Sequence, residues 1–172
     1  NISSPFIFQV EDSVPDQHMV NFNVTITDNQ SNSWISNMFV VLNSPILSDG
    51  LFTVNDMQFG NGNGKIDAGE NLDLTIDIEN IGHSDIINLT ASLSCLSSYI
   101  TINTPSLNIS SINAGSQDFA NFNISIDPLT PMGTLAEFYF EIGDGIYSHD
   151  NIFSETIGVI DEDYETGDFT NY

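Results

Sequence analysis

Apolar and polar residues alternate along most of this chain, and the alternation predicts strands. The cleanest run sets Leu72, Leu74, Ile76 and Ile78 against Asn71, Asp73, Thr75, Asp77 and Glu79, the two-residue period of a strand with one wet face. Leu89, Ala91, Leu93 and Cys95 form the next apolar face. Ile100 to Ile112 reads as two short strands turning at Pro105, and Ala120, Phe122, Ile124 and Ile126 resume the alternation. Ala136, Phe138, Phe140 and Ile142 follow, then Phe153, Ile157 and Val159, with Phe52 and Val54 opening the series. Earlier still, Phe6, Phe8 and Val10, then Val20, Phe22, Val24 and Ile26, then Ile35, Phe39 and Val41 give three further runs. No stretch carries the 3.6-residue spacing of a helix.

About seven short strands with turn signals between them predict an all-β fold, an antiparallel immunoglobulin-like β-sandwich. Ser44-Pro45 and Ser48-Asp49-Gly50 interrupt the pattern, which divides the chain into residues 1–43, a linker at 44–50, a complete sandwich at 51–160 and an acidic segment at 161–172. That segment reads as a solvated linker or the start of another domain.

Residues 6–28 laid over 122–144 at an offset of 116 match Phe6 with Phe122, Pro15 with Pro131, Phe22 with Phe138, Ile26 with Ile142 and Asp28 with Asp144. Shifting by two more places sets Phe39 on Ile157 and Val41 on Val159. The first 43 residues are therefore expected to be the last three strands of a preceding copy of the same sandwich. Three such strands are too few for a core of their own, so they need either the following domain or further chain to pack on.

Charge narrows the choice of partner. Lys65 is the one basic residue against 24 acidic ones, for a net charge of -23 in 172 residues. Nucleic acid and anionic membranes need cationic surface and are excluded as partners. Cations are the natural counterpart. Cys95 stands alone, so no internal disulfide is available, and no apolar run is long enough for membrane insertion.

The stretch from Asp56 to Glu70 is where the chemistry concentrates. Asn61-Gly62-Asn63-Gly64-Lys65-Ile66-Asp67-Ala68-Gly69-Glu70 supplies hard oxygen ligands at EF-hand-like spacing. With Gly64 as the sixth-position glycine, Asn61 and Asn63 take positions three and five, the Lys65 carbonyl seven, Asp67 nine and Glu70 twelve. Position one falls on Phe59, and Asp56 three residues earlier is the replacement if the loop is expanded. The expectation is a structural Ca2+ site held by Asp56, Asn61, Asn63, Lys65, Asp67 and Glu70. The competing reading is a plain turn in which Gly60, Gly62 and Gly64 supply positive φ.

Nothing assembles a catalytic set, and the expectation is that the chain is not an enzyme. His18, His83 and His149 lie far apart without metal-ligand spacing and read as surface residues. Cys95 falls in phase with Leu89 and Leu93 and reads as a buried structural thiol. Asp67 and Glu70 suit an ion better than acid–base work, and Trp34, Tyr139 and Tyr147 are the candidates for a sugar-stacking platform. Six N-x-S/T sequons, at Asn1, Asn23, Asn29, Asn88, Asn108 and Asn123, matter only in a eukaryotic secretory pathway.

The stretches GNGNGKIDAGENLDLTIDIENIGHSD and YITINTPSLNISSINAG, with a Pro-containing turn before a phenylalanine-rich strand, resemble the Ig-like, CARDB-like repeats of secreted surface proteins of Bacteroidetes. Many of these accompany gingipain-type cysteine peptidase domains or type IX secretion sorting domains. DYETGDF, near the end, is similar to the start of the jelly-roll domain that often follows such repeats. The resemblance implies an extracellular or cell-surface location and a non-catalytic role in spacing, presenting or stabilising neighbouring domains of the same chain. It also makes Asp12-Ser13-Val14 similar to the O-glycosylation motif of these bacteria. The alternative is an adhesion module that binds a surface glycan or a protein; a row of exposed aromatics on one sheet would mark it.

Overall fold

The computed structural model describes residues 6–158. The acidic segment 161–172, with Val159 and the Asn1 sequon, lies outside them. Among the described residues ten strands form in the order β1 (His18–Thr27), β2 (Ser33–Leu42), β3 (Leu47–Asn55), β4 (Asn71–Asn80), β5 (Ile86–Cys95), β6 (Ile100–Ile102), β7 (Ser106–Ile112), β8 (Gln117–Ile126), β9 (Thr134–Gly143) and β10 (Ser148–Ile157). Strands β3 to β10 make the immunoglobulin-like sandwich: an antiparallel sheet β3-β4-β8-β6 and a second antiparallel sheet β10-β9-β5-β7. Successive strands from β4 to β9 change sheet at nearly every step, so the pairs that meet, β4 with β8 and β5 with β9, are remote in sequence.

Alternation puts the core where the pattern requires it. Along β4, every second residue from Leu72 to Asn80 is buried and every other one is half-exposed. Phe122, Phe138 and Phe140 are fully enclosed, and burying each ring contributes about 2–3 kcal/mol. Rings also join the sheets: Phe122 meets Phe140 edge-on at 6.2 Å, and Phe52 of β3 stacks on Phe153 of β10 at 4.8 Å. The exposed face of β4 and β8 is polar apart from Phe119. Asn123 donates to Asn71 at 2.9 Å and to Asp73 at 2.8 Å, and Asn103 donates to Asn123 at 2.8 Å.

Two boundaries differ from expectation. Strand β3 begins at Leu47, inside the stretch read as a linker, because Leu47, Ser48 and Asp49 pair with Asn80, Glu79 and Ile78 and a register shift follows before Phe52. Ser44 and Pro45 are buried too. At the other end of the early region, Phe6, Phe8 and Val10 carry no strand; alternation alone cannot hold a strand without a neighbour to pair with. Phe8 lies on Phe22 instead, ring centroids 5.3 Å apart.

β1 and β2 form a separate two-stranded sheet. Its register sets Val20 opposite Val40, Phe22 opposite Met38 and Ile26 opposite Trp34. Ile35, Phe39 and Val41 share one face, as their spacing predicts, but it is the face away from Phe22, opposite Thr25, Asn21 and Met19. Trp34 to Leu42 is apolar at both parities, so its period cannot choose a face, and the length of the turn from Asp28 to Asn32 fixes it instead.

Candidate functional site

The loop between β3 and β4 is folded around its own acidic side chains. Asp56, 1% exposed, accepts the Asn63 N–H at 2.9 Å and the Gly64 N–H at 3.1 Å. The loop is thus expanded, with a carboxylate from upstream seated under its fifth and sixth positions. Glu70, 9% exposed, accepts the Asn61 N–H at 2.9 Å and the Asp67 N–H at 3.0 Å. Gly60 separates these two acids. A Cβ there would come within 2.7 Å of the Glu70 Oε1 and 2.8 Å of the Asp56 Cβ. Gly62 and Gly64 take φ of 77° and 74°, the left-handed turns that glycine adopts without strain.

Asp67 completes the ring. Its Oδ2 accepts the side-chain amides of Asn61 at 2.7 Å and Asn63 at 2.8 Å. The Asn61 Oδ1 accepts the Asn63 N–H at 2.9 Å, and the Asn63 Oδ1 accepts the Lys65 N–H at 2.8 Å. All five predicted side-chain ligands are therefore gathered in one loop, with Lys65 among them. Their types suit a hard cation, which takes six to eight oxygens. Their arrangement is a different matter: each carboxylate faces N–H donors, and among the described residues no three acidic, histidine or cysteine side chains are set to hold a metal. Coordination would require the Asn61 and Asn63 amides to turn their oxygens toward Asp67.

The loop meets the end of β10. Ile66 is buried in the core, and its carbonyl accepts the Gly158 N–H at 2.9 Å, just past β10. The Glu70 carbonyl accepts the Ile126 N–H at 2.8 Å. These two bonds tie the loop to the ends of β8 and β10.

The entry is held by a second cluster, centred on Asn80-Ile81-Gly82-His83. Asn80 falls on the buried phase of β4 and is fully enclosed. Its Oδ1 accepts the N–H groups of Ile46 at 3.2 Å and Gly82 at 3.1 Å, and its Nδ2 donates to the carbonyls of Ser84 at 2.8 Å and Ile112 at 3.2 Å. Gly82 lies against the backbone from Ser44 to Ile46, where a Cβ would approach to 2.4 Å. Asp16, ahead of β1, accepts the Ser44 N–H at 3.0 Å and meets the His83 Nδ1 at 2.6 Å. The Tyr147 hydroxyl donates to the Asp12 carbonyl at 2.7 Å.

Burial pushes the Asp16 carboxyl up, but the hydrogen bond and charge of His83, with the Ser44 N–H, outweigh it and hold Asp16 below the usual aspartate value. Asp49 behaves alike. Its burial opposes ionisation, while hydrogen bonds from His149 and Asn151 win and lower it. These contacts join β3 to β10, the neighbouring edges of the two sheets.

His83 and His149 thus act as structural partners of carboxylates. Trp34, Tyr139 and Tyr147 are not brought together: Trp34 is on the β1–β2 hairpin, Tyr139 on β9 and Tyr147 in the loop before β10. Cys95 is half-buried against the core. The outward phase of β9 carries Tyr139 and that of β8 carries Phe119, with no row of aromatics on either sheet among the described residues.

No family model matches the chain, and no curated protein matches it in sequence. Among solved structures it is similar to the ASH/PapD-like domain 7 of human CEP192, with 11% identity over 68% of this chain and 87% of that one, at a TM-score of 0.36. It is also similar to a β-glucosidase from Listeria innocua in complex with gluconolactone and with glucose, with 13% identity over 70% of this chain and 17% of that one, at a TM-score of 0.36.

Proposed function

We propose that the chain is a non-catalytic extracellular or cell-surface module that spaces and presents neighbouring domains of a larger secreted protein, with calcium holding the loop at its exit. The observation that carries this reading is the position of the loop: three acidic side chains stand in a segment whose Ile66 carbonyl bonds directly to Gly158. A divalent ion there would offset the mutual repulsion of Asp56, Asp67 and Glu70 and fix the direction in which the chain departs. At the entry, the Asn80 and Asp16 contacts fix the incoming chain. A module gripped at both ends suits a spacer. Among the described residues the sheets' outward faces carry scattered apolar side chains, Phe119, Leu135 and Ile152 among them, but no aromatic row, which gives the adhesion reading less support.

Thermal unfolding with millimolar calcium and with a chelator tests it. Ion binding to the folded state alone raises stability by about 2.7 kcal/mol at a hundredfold excess over the dissociation constant. Asp67→Asn should abolish the difference. An equal midpoint in both conditions would reduce the loop to a glycine turn.

A further inference from the structure

The β1–β2 hairpin and the β9–β10 hairpin correspond strand for strand, with a turn one residue longer in the first. Adding 116 to the limits of β1 gives those of β9, and adding 115 to the limits of β2 gives those of β10, so Phe39 corresponds to Ser154 and not, as the sequence shift has it, to Ile157. The turns agree as well. Asp28 Oδ1 accepts the N–H groups of Gln30 and Asn32, each at 2.8 Å, as Asp144 Oδ1 accepts those of Ile146 and Tyr147 at 2.8 Å. Ahead of the strands, the Val14 N–H bonds to the Glu11 carbonyl as the Thr130 N–H bonds to that of Asp127. Gln17, with φ of 59°, stands where Gly133 has 81°. The left-handed conformation is uncommon for a residue other than glycine, so Gln17 holding it where Gly133 does marks a shared turn.

Their surroundings differ. Strand β9 pairs with β5 on one side and β10 on the other, and its Phe138, Phe140 and Ile142 are fully buried, Phe138 against Phe52 of β3 and Phe140 against Phe122 of β8. Among the described residues strand β1 pairs with β2 alone, and on the matching face Ile26, Trp34 and Met38 are more than half exposed. The hairpin also lacks the charge of the rest of the molecule: Asp28 is the single acidic residue from Gln17 to Ser48, whereas β9 and β10 carry Glu137, Glu141, Asp150 and Glu155.

From this correspondence we infer that the β1–β2 hairpin is the closing hairpin of a second sandwich. Its occupant is an upstream segment equivalent to β3–β8, whose β5-like strand pairs with the open edge of β1 and whose β4–β8-like sheet covers Phe22 and Ile26. Another copy of this chain does not offer that place, because its own β9–β10 fills it. Phe6 and Phe8 align with Phe122 and Ile124 of β8, and Phe8 already lies on Phe22; they become the end of the β8-like strand once it has a neighbour. The inference builds on the spacer reading and gives it geometry: the loop of residues 11–17 belongs to the upstream unit, so the Asp16–His83 contact is the joint between two successive sandwiches.

Amide exchange followed residue by residue tests it, comparing residues 1–172 with the natural chain extended ahead of Asn1. The β1 amides that do not bond β2 should exchange rapidly in residues 1–172 and at least about a hundredfold more slowly in the longer chain, reaching the protection of β9. Phe22→Asp in the longer chain should remove that protection and leave β4 and β9 slow. Equal exchange in both chains would overturn the inference. So would protection in residues 1–172 that grows with concentration, which would assign the face to a second copy. Neither result depends on calcium, so the outcome is separable from that of the exit loop.

Discussion

Replacing Asn80 by alanine tests how much of the sandwich's stability rests on one buried amide. The side chain makes four hydrogen bonds, to the N–H groups of Ile46 and Gly82 and the carbonyls of Ser84 and Ile112. Of these, the Gly82 and Ile112 groups are in the buried part of the cluster, where water reaches them least. An unsatisfied buried polar group costs about 1–3 kcal/mol, so two give about 2–6, and partial relaxation places the expected loss near 3–4 kcal/mol. At about 4 °C per kcal/mol for a domain of this size, the midpoint falls by roughly 10–15 °C. Asn80→Asp separates the two halves of the interaction: it keeps an acceptor for Ile46 and Gly82 but loses both donors, and sets a carboxylate against two carbonyls. Urea unfolding followed by circular dichroism gives the free energies, with an unchanged slope confirming the two-state comparison. A loss below about 1 kcal/mol for Asn80→Ala would refute the argument, since it would mean that the cluster is wet or relaxes freely.

Two further outcomes follow from the core and from the carboxylates. Phe138→Ala should cost about 3–5 kcal/mol by leaving a cavity in a closed core, while Phe22→Ala, the equivalent change on the hairpin, should leave the main transition of residues 1–172 within about 0.5 kcal/mol; equal costs in denaturant unfolding would contradict the difference in burial. Asp49 is held below the usual aspartate value in the folded state, so its contribution is present above the unfolded value and lost as pH falls through the folded one. The stability difference between the native chain and Asp49→Asn should therefore be largest near neutrality and shrink below about pH 4; a difference that grows with acid would show the sign to be wrong.

Some of this was legible in the sequence. The alternation from Asn71 to Glu79 names β4 and its buried face directly, because each position on that strand is unambiguously apolar or polar. The acidic loop was legible as a cluster, since its ligands are local and glycine marks its turns. Asn80 carried a signal that could have been taken further: a polar residue on the buried phase of a strand must find partners, and a glycine two residues later gives them room. The pairs Asp16–His83 and Asp49–His149 carried none. Their members are 67 and 100 residues apart, and only the strand order brings them together. The face of β2 was hidden for another reason, because apolar residues at both parities leave the register to the turn.

The central claim is that calcium at the β3–β4 loop stiffens the exit of the module, and the amide of Gly158 reports on it most directly. Its bond to the Ile66 carbonyl, at 2.9 Å, links the loop to the residue that follows β10. Exchange at that amide should slow by at least about tenfold when calcium replaces a chelator, and Asp67→Asn should hold it at the fast rate in both. Unchanged exchange at Gly158 in native chain saturated with calcium would contradict the claim and leave the loop a turn closed by its own hydrogen bonds.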